Sequence, residues 1–219
     1  MIFANGVKMF FIIEGVSGAG KSCLLNALQK LFVTHYPKAT KLFISEHFTQ
    51  RSLEHLRDGK NLSSSAIEES LDATLSVLEG FDQRLNQSKF AHNPMLLQGS
   101  IERFHLTYLT EGWIDLKLGK KTATRLSKLQ CQQIVLKIPP SLIEERIFST
   151  VKYRNVEWEK YLFSLGSKKE VTIHFSKWQE RLHAYAQVIE KFIPTLYLDT
   201  KEQNWDTLAK TLYDLTTNG

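Results

Sequence analysis

The chain has 219 residues, of which 42% are hydrophobic and 23% charged, as expected for one globular domain, which we place over residues 1–219. It contains no run of 18 apolar residues, which excludes a membrane-spanning helix and leads us to expect no membrane partner. The net charge of +5 comes from scattered basic residues, so it suits phosphate compounds and does not indicate a nucleic-acid partner.

The first predicted strand leads into the most informative motif of the chain. An apolar run at 10–13 predicts a buried strand, and leucines recur at helical spacing over 24–31. Between them, residues 15–22 read GVSGAGKS and match the phosphate-binding loop pattern G-x-x-x-x-G-K-[ST]. The motif requires a strand, a glycine-rich turn and a helix in this order, so we predict a nucleotide-phosphate site here.

Each part of this loop has a predicted task. The glycines let successive N–H groups point at a phosphate, and the following helix adds the positive end of its dipole. Lys21 is expected to reach the β- and γ-phosphates, and the Ser22 hydroxyl to ligate Mg²⁺. The residues expected to bind nucleotide are Gly15, Val16, Ser17, Gly18, Ala19, Gly20, Lys21, Ser22 and Cys23.

Apolar runs alternate with amphipathic segments along the whole chain, as in a parallel sheet with crossover helices. Strands are predicted at 9–14, 41–45, 95–97 (with an extension to 101 left open), 133–138 and 195–198. A stripe of apolar residues predicts a helix at 64–87, and a last helix is predicted at about 205–215. Two capping-box patterns, Ser141 with Glu144 and Ser176 with Gln179, predict two more helix starts.

Two acidic residues near predicted strand ends are candidates for chemistry. Glu46 follows the second strand, where open α/β sheets bind ligands, and is the candidate general base; the alternative is a carboxylate that caps the next helix. Glu102 is expected to hold the Mg²⁺ shell through water, and Arg103 to bridge phosphate or substrate; the alternative is an ion pair at a helix start. Whether residues 98–100 or 102–103 occupy this metal-side position stays open.

The segment 146–170 has the least regular pattern of the long segments. It carries basic residues among aromatic ones, which favours a mobile lid over a part of the core. Arg146 and Arg154 are candidate donors to the γ-phosphate, because a planar guanidinium matches the charge that spreads over its oxygens. A solvated basic face is the alternative.

Other classes of phosphate-loop protein fit less well, because the base-reading Asn/Thr-Lys-x-Asp motif of guanine-nucleotide switches is absent from the sequence. The order of elements resembles the thymidylate kinase and deoxynucleoside kinase superfamily. The residues that carry the resemblance are Glu14-Gly15 before the loop, Glu46 after the second strand, Glu102-Arg103-Phe104 after the third, Arg146 with Lys152 and Arg154 in the lid, and Asp199 to Gln203 where family members contact adenine.

Together these patterns predict a three-layer α/β/α phosphate-loop fold with a five-stranded parallel sheet and a small lid. The resemblance implies ATP and Mg²⁺ as cofactors and transfer of the γ-phosphoryl of ATP to a nucleoside or a nucleoside monophosphate. Two alternatives are a kinase of this fold that acts on a non-nucleotide small molecule, and a nucleotide-binding regulatory protein with weak turnover. The identity of the acceptor stays open.

The two cysteines, Cys23 and Cys131, lie in apolar contexts and are expected to be reduced core residues of a cytoplasmic protein. No cysteine and histidine pattern has zinc-ligand spacing. The expected partner is a small-molecule phosphate acceptor, and a homodimer is compatible with the sequence.

Overall fold

The computed structural model describes residues 9–35, 37, 39–46, 48–49, 64–87 and 97–217. The strands are β1 (Met9–Glu14), β2 (Thr40–Ile44), β3 (Leu97–Glu102), β4 (Cys131–Lys137) and β5 (Thr195–Asp199). The helices in the described residues are α1 (Lys21–His35), α2 (Ser64–Gln87), α3 (His105–Thr110), α4 (Leu116–Lys128), α5 (Ile143–Ser149), α6 (Val156–Ser164), α7 (Lys168–Ile189) and α8 (Trp205–Thr217). Short 3₁₀ turns over Pro140–Leu142 and Val151–Tyr153 flank α5.

The five strands form one parallel sheet in the order β2-β3-β1-β4-β5. The central strand β1 is buried on both faces, since residues 10–13 are at most 2% exposed. This burial explains the unbroken apolar run of β1. Helices α1 and α8 pack against each other, while α3, α4 and α7 pack together as a second group. The predicted α/β fold with five parallel strands is confirmed.

Two kinds of contact fasten the helices to the sheet. The Phe32 ring of α1 lies 6.3 Å from the ring of Phe11 on β1 and 6.2 Å from that of Phe43 on β2, measured between centroids. The Gln179 side chain of α7 accepts a hydrogen bond from the Ile138 N–H and donates one to the Ile138 carbonyl, both at 2.9 Å. This pair of bonds fixes α7 at the carboxyl end of β4.

Helix α2 spans the predicted range, and its apolar stripe is buried up to Leu78, whereas Phe81 is 37% exposed. The apolar residues whose spacing predicts the helix are each 1% exposed up to this point: Ile67, Leu71, Leu75 and Leu78. On its polar side, Arg125 of α4 donates from Nε and Nη2 to the Glu79 carboxylate, at 2.8 and 2.9 Å, and from Nη1 to Asp72. Arg125 therefore connects α4 to α2 through a bidentate ion pair, which helps to orient the two helices.

Both predicted capping boxes are wrong. Helix α7 begins at Lys168, where Ser167 and Glu170 form the capping box, so Ser176 and Gln179 lie in the helix interior. Ser141 lies in a 3₁₀ turn without a side-chain cap, and α5 begins only at Ile143. The capping-box pattern, a serine followed three residues later by a glutamate or glutamine, occurs several times in this region. The helix begins at the pattern Ser167 with Glu170, which comes directly after Gly166 in the turn that follows α6.

Two further expectations need correction. The segment 146–170 is regular, because it contains the end of α5, a 3₁₀ turn, α6 and the start of α7; its mobility stays a prediction. Cys131 is buried as expected, but Cys23 is exposed in the first turn of α1. No helix within the described residues is long and apolar enough to cross a membrane.

Candidate active site

The phosphate-binding loop, residues 15–22, joins β1 to α1 at the carboxyl end of the central strand. Gly18 and Gly20 have φ angles of +79° and +90°, in the left-handed region that favours glycine. Both also lie against neighbours: a Cβ at Gly18 would lie 2.9 Å from the Arg146 carbonyl oxygen, and one at Gly20 would overlap the Trp205 indole. The loop therefore needs both glycines for its backbone conformation and for its packing.

Lys21 is the first residue of α1, and its side chain is folded over the loop. It is 4% exposed, and its ammonium group donates hydrogen bonds to the carbonyl oxygens of Gly15 and Val16, both at 3.0 Å. Burial and the nearby Arg103 lower the pKa of Lys21 to about 8, although two neighbouring glutamates act in the opposite direction. A bound phosphate would give the buried ammonium group of Lys21 a negatively charged partner in addition to these two carbonyl oxygens.

The bounds of strand β3 show whether residues 98–100 or residues 102–103 lie at the edge of the site. It runs from Leu97 to Glu102, so residues 98–100 lie inside it and Glu102 stands at its carboxyl end. The predicted strand positions 95 and 96 lie outside the described residues. The polar residues Gln98 and Ser100 are fully buried in this strand, which is why its apolar pattern is interrupted in the sequence.

The Glu102 carboxylate faces the loop. Its Oε2 accepts hydrogen bonds from the Ser22 hydroxyl at 3.3 Å and from the Glu46 backbone N–H at 3.2 Å. Its Oε1 is buried and has no hydrogen-bond partner among the described residues. Burial raises the pKa of Glu102, while the charge of Lys21 lowers it.

These oxygens fit a bound Mg²⁺ ion. A hydroxyl and a carboxylate side by side are ligands that Mg²⁺ accepts directly or through water, and the unpartnered Oε1 gains a partner when a cation binds. Within the described residues, no three His, Cys, Asp or Glu side chains form a metal-binding group. The site therefore suits an ion that takes its remaining ligands from nucleotide phosphates and water.

Arg103 lies in a strained turn directly after β3. Its φ of +50° is in the left-handed region, which costs a non-glycine residue about 1–2 kcal/mol. Its N–H donates to the Ile13 carbonyl at 3.0 Å, and its guanidinium lies 3.8 Å from the Glu46 carboxylate. The turn aims Arg103 at Glu46, the candidate base, instead of continuing the strand.

A buried glutamate holds this turn in place. Glu14, at the end of β1, is fully buried and accepts hydrogen bonds from the N–H groups of Phe104 and Leu106, both at 3.0 Å, and from the Thr107 hydroxyl at 2.6 Å. Burial raises its pKa, and these three bonds counteract the rise. In the sequence, Glu14 stands out only through the family resemblance; a carboxylate at the end of a buried strand is the signal that predicts such a role.

A cavity of about 410 Å³ opens beside the loop and contains Glu46, Arg103 and Arg154. The Arg154 guanidinium carbon lies 4.3 Å from the centre of the Trp158 ring. Aromatic residues form much of the wall: Trp113, Trp158, Tyr161, Phe175 and Trp178. This size and this lining are typical of a small-molecule site.

Arg146 lies on the other side of the loop. It is buried, and its Nη2 donates to the carbonyl oxygens of Thr200 at 2.8 Å and Lys201 at 2.9 Å. It thereby ties α5 to the segment after β5, which lines an open depression together with Cys23 and Trp205. Arg146 is therefore not part of a solvated basic face, and its contact with the γ-phosphate stays a prediction.

The structure thus places Glu46, Arg103 and Arg154 on the wall of one cavity and leaves Arg146 outside it. Lys21, Ser22 and Glu102 do not line the cavity but lie next to this group, since Glu102 accepts from Ser22 and from the Glu46 N–H, and the charges of Glu46, Glu102, Arg103 and Arg154 act on Lys21. The sequence patterns did not predict the aromatic wall or the charged residues Glu111, Glu157 and Arg181 that line the cavity with it. The wall comes from α6, α7 and the turn after α3, which are far apart in sequence, so no local pattern could have marked it.

Comparison with known proteins shows the class of this fold. No protein-family model matches the sequence, and no curated protein matches it significantly. Shikimate kinase from Acinetobacter baumannii, solved in complex with shikimate, is similar over 96% of this chain and 94% of its own, with 12% identity and a TM-score of 0.51. A protein from Chloroflexus aurantiacus assigned as a kinase covers 98% of both chains, with 13% identity and a TM-score of 0.46. The chain has the fold of a P-loop kinase.

Proposed function

We propose that this protein transfers the γ-phosphoryl group of ATP to a nucleoside or a nucleoside monophosphate, with Mg²⁺. The observation that carries the proposal is the clustering of Lys21, Glu46, Glu102 and Arg103, of which Glu46 and Arg103 also line the aromatic cavity. Phosphoryl transfer needs positioning, charge neutralisation and a group that takes a proton, and these four side chains supply them.

Each residue has a task in this reaction. The loop N–H groups and Lys21 hold the β- and γ-phosphates, and Ser22 and Glu102 hold Mg²⁺, which neutralises phosphate charge when bound. Arg103 and Arg154 line the cavity, and their guanidinium groups are proposed to contact oxygens of the transferred group. Glu46 accepts the proton of the attacking hydroxyl as the new O–P bond forms, the bond from the γ-phosphorus to the bridging oxygen breaks, and ADP leaves.

The aromatic wall supports an acceptor with a flat ring, as in a nucleoside. Rings of this kind gain stacking contacts on tryptophan, tyrosine and phenylalanine faces. The centroid of the Trp158 ring lies 5.5 Å from that of Tyr161 and 6.1 Å from that of Phe175, so the wall is continuous across α6 and α7. Shikimate, the ligand of the similar A. baumannii kinase, is a non-nucleotide acceptor, and a small molecule of that class remains the second candidate.

The proposal is tested by incubating the protein with Mg²⁺ and ATP carrying a labelled γ-phosphate, together with single acceptors. The panel contains four deoxynucleosides, their monophosphates and shikimate. The expected result is ADP and one phosphorylated nucleoside or nucleotide in equal amounts. Transfer to shikimate alone, or ADP with inorganic phosphate only, contradicts the proposal.

A further inference from the structure

The far end of the acceptor cavity carries a fixed carboxylate. Glu111 lies directly after α3, a helix of six residues, so it stands one helix length of about 9 Å from the Arg103 turn. Its Oε1 accepts a hydrogen bond from the indole N–H of Trp178 at 3.0 Å. Trp178 on α7 is only 6% exposed, so the indole is held by its surroundings and in turn holds the carboxylate.

Glu111 keeps unused hydrogen-bonding capacity. A carboxylate has about four lone-pair sites, and the Trp178 contact uses one. Within the described part of the chain, no lysine or arginine lies within ion-pair distance of Glu111. A carboxylate that lines a cavity and still has free lone pairs favours a ligand with N–H or O–H donors.

Arg181 adds the complementary group. It follows Trp178 by three residues on α7, so it lies on the same side of the helix, and it lines the same cavity. No carboxylate within the described residues forms an ion pair with it. Glu111 and Arg181 are both exposed, so around Trp178 the far end offers a ligand one acceptor and one donor of hydrogen bonds.

The charges of the residues that line the cavity indicate whether the acceptor itself carries a phosphate group. Three arginines and three glutamates line it: Arg103, Arg154, Arg181, Glu46, Glu111 and Glu157. Their formal charges cancel, and one pair, Glu46 and Arg103, already lies at 3.8 Å. A phosphate dianion needs a surplus of positive charge when it leaves water, whereas an uncharged nucleoside does not.

We propose that Glu111 determines specificity, and that the acceptor is an uncharged nucleoside whose base carries an amino group, with Glu111 accepting from that group and Arg181 donating to a ring nitrogen or carbonyl. This inference rests on the proposed function. Thymine offers Glu111 one N–H flanked by two carbonyl oxygens, which a carboxylate repels. A correctly placed pair of hydrogen bonds to a base gives about 1–3 kcal/mol of discrimination, or roughly 5- to 150-fold.

The test compares kcat/KM for deoxycytidine, deoxyadenosine, deoxyguanosine, thymidine and their monophosphates in the wild type and in Glu111→Gln. Glutamine keeps an oxygen for the Trp178 N–H and loses the second charged acceptor. Glu180→Gln is the matched control, since Glu180 is an exposed residue of α7 that does not line the cavity. Circular dichroism and thermal melting verify that both variants fold.

The expected result is a wild-type preference for an amino-bearing nucleoside of at least about 10-fold over thymidine. Glu111→Gln should lower kcat/KM for that nucleoside about 10- to 100-fold and leave thymidine nearly unchanged, while Glu180→Gln changes neither. Preference for thymidine or for a monophosphate, or an equal loss on every acceptor, overturns the inference and leaves the kinase function in place. Absence of transfer to every nucleoside and monophosphate contradicts the proposed function itself.

Discussion

Lys21 illustrates how burial prepares a single side chain for its ligand. It is nearly inaccessible and bonded to two carbonyl oxygens of its own loop, and its pKa is lowered to about 8. These carbonyl oxygens carry only partial charge, so a polyphosphate is a better partner for the ammonium group. Binding of ATP should therefore restore the pKa of Lys21 to a higher value.

This coupling predicts proton uptake when ATP binds. At pH 8 about half of the Lys21 side chains are deprotonated in the free protein, and the bound state is protonated, so uptake of about half a proton is expected. Calorimetry in buffers of different ionisation enthalpy measures it, and the uptake should decline toward pH 7. Lys21→Ala should abolish the uptake and lower the transfer rate roughly 10²- to 10³-fold, since it removes one preorganised donor.

An exposed lysine provides the control for this prediction. Lys191 lies in the turn after α7, away from the loop, and Lys191→Ala should preserve both the uptake and the rate. Equal proton uptake in the wild type and in Lys21→Ala would show that another group titrates on binding.

Among the helices, α6 is the least firmly anchored part of the site. Of its nine residues, only Leu162 is buried, whereas seven residues of α7 are buried. Elements with few buried apolar contacts open locally at low free energy. Because α6 begins two residues after Arg154 and presents Trp158 and Tyr161 to the cavity, its opening would admit or release ligands.

Hydrogen exchange should reveal this opening. Amides of residues 146–170 are expected to exchange at least about 10-fold more slowly with a non-hydrolysable ATP analogue and Mg²⁺ than without them, because lids of this type close over bound substrate. Amides of α4, which lies apart from the cavity, serve as the internal control. Equal protection of 146–170 in both states would remove the lid from the mechanism.

Local pattern predicted some elements well and failed at others for identifiable reasons. The stripe from Ile67 to Leu78 predicted α2 because these residues lie on one buried face of the helix. Strand β3 was predicted poorly because Gln98 and Ser100 are buried in it, which apolar pattern does not anticipate. Gln179 resembled a cap residue, but its tertiary contact with Ile138 decides its position.

The same limits apply to the candidate site. The loop could be identified because all its residues are contiguous, and Glu46 and Glu102 could be named because strand ends of a parallel sheet meet at one edge. Glu111 and Arg181 could not be named, since α3 and α7 meet only through the tertiary fold. Contiguous motifs are readable from sequence, and walls assembled from distant helices are not.

A buried histidine, His105, makes the free energy of unfolding of the whole domain depend on pH. His105 is fully buried, and burial lowers its pKa from 6.5 to about 3. The unfolded chain binds a proton below pH 6.5 and the folded chain does not, so the stabilisation is complete above pH 6.5 and declines as the pH falls toward 3. The decline is at most about 1.4 kcal/mol per pH unit.

Urea unfolding at pH 7.5 and pH 5.5 checks this expectation. The wild type should lose about 1 kcal/mol more of its free energy of unfolding across this range than His105→Gln does. His35→Gln, which changes an exposed histidine in the last turn of α1, should show the same loss as the wild type. An identical loss in His105→Gln would show that His105 does not cause it.

The most direct test of the central claim separates the tasks of Glu46 and Glu102. If Glu46 takes the proton of the attacking hydroxyl, Glu46→Gln should lower kcat roughly 10²- to 10⁴-fold with little change in ATP affinity. If Glu102 holds Mg²⁺, Glu102→Gln should instead raise the Mg²⁺ concentration for half-maximal rate about 10- to 100-fold. Steady-state rates of γ-phosphoryl transfer, measured across a Mg²⁺ titration with the preferred acceptor, report both quantities. Wild-type kinetics in both variants would contradict the assignment of this site as the centre of phosphoryl transfer.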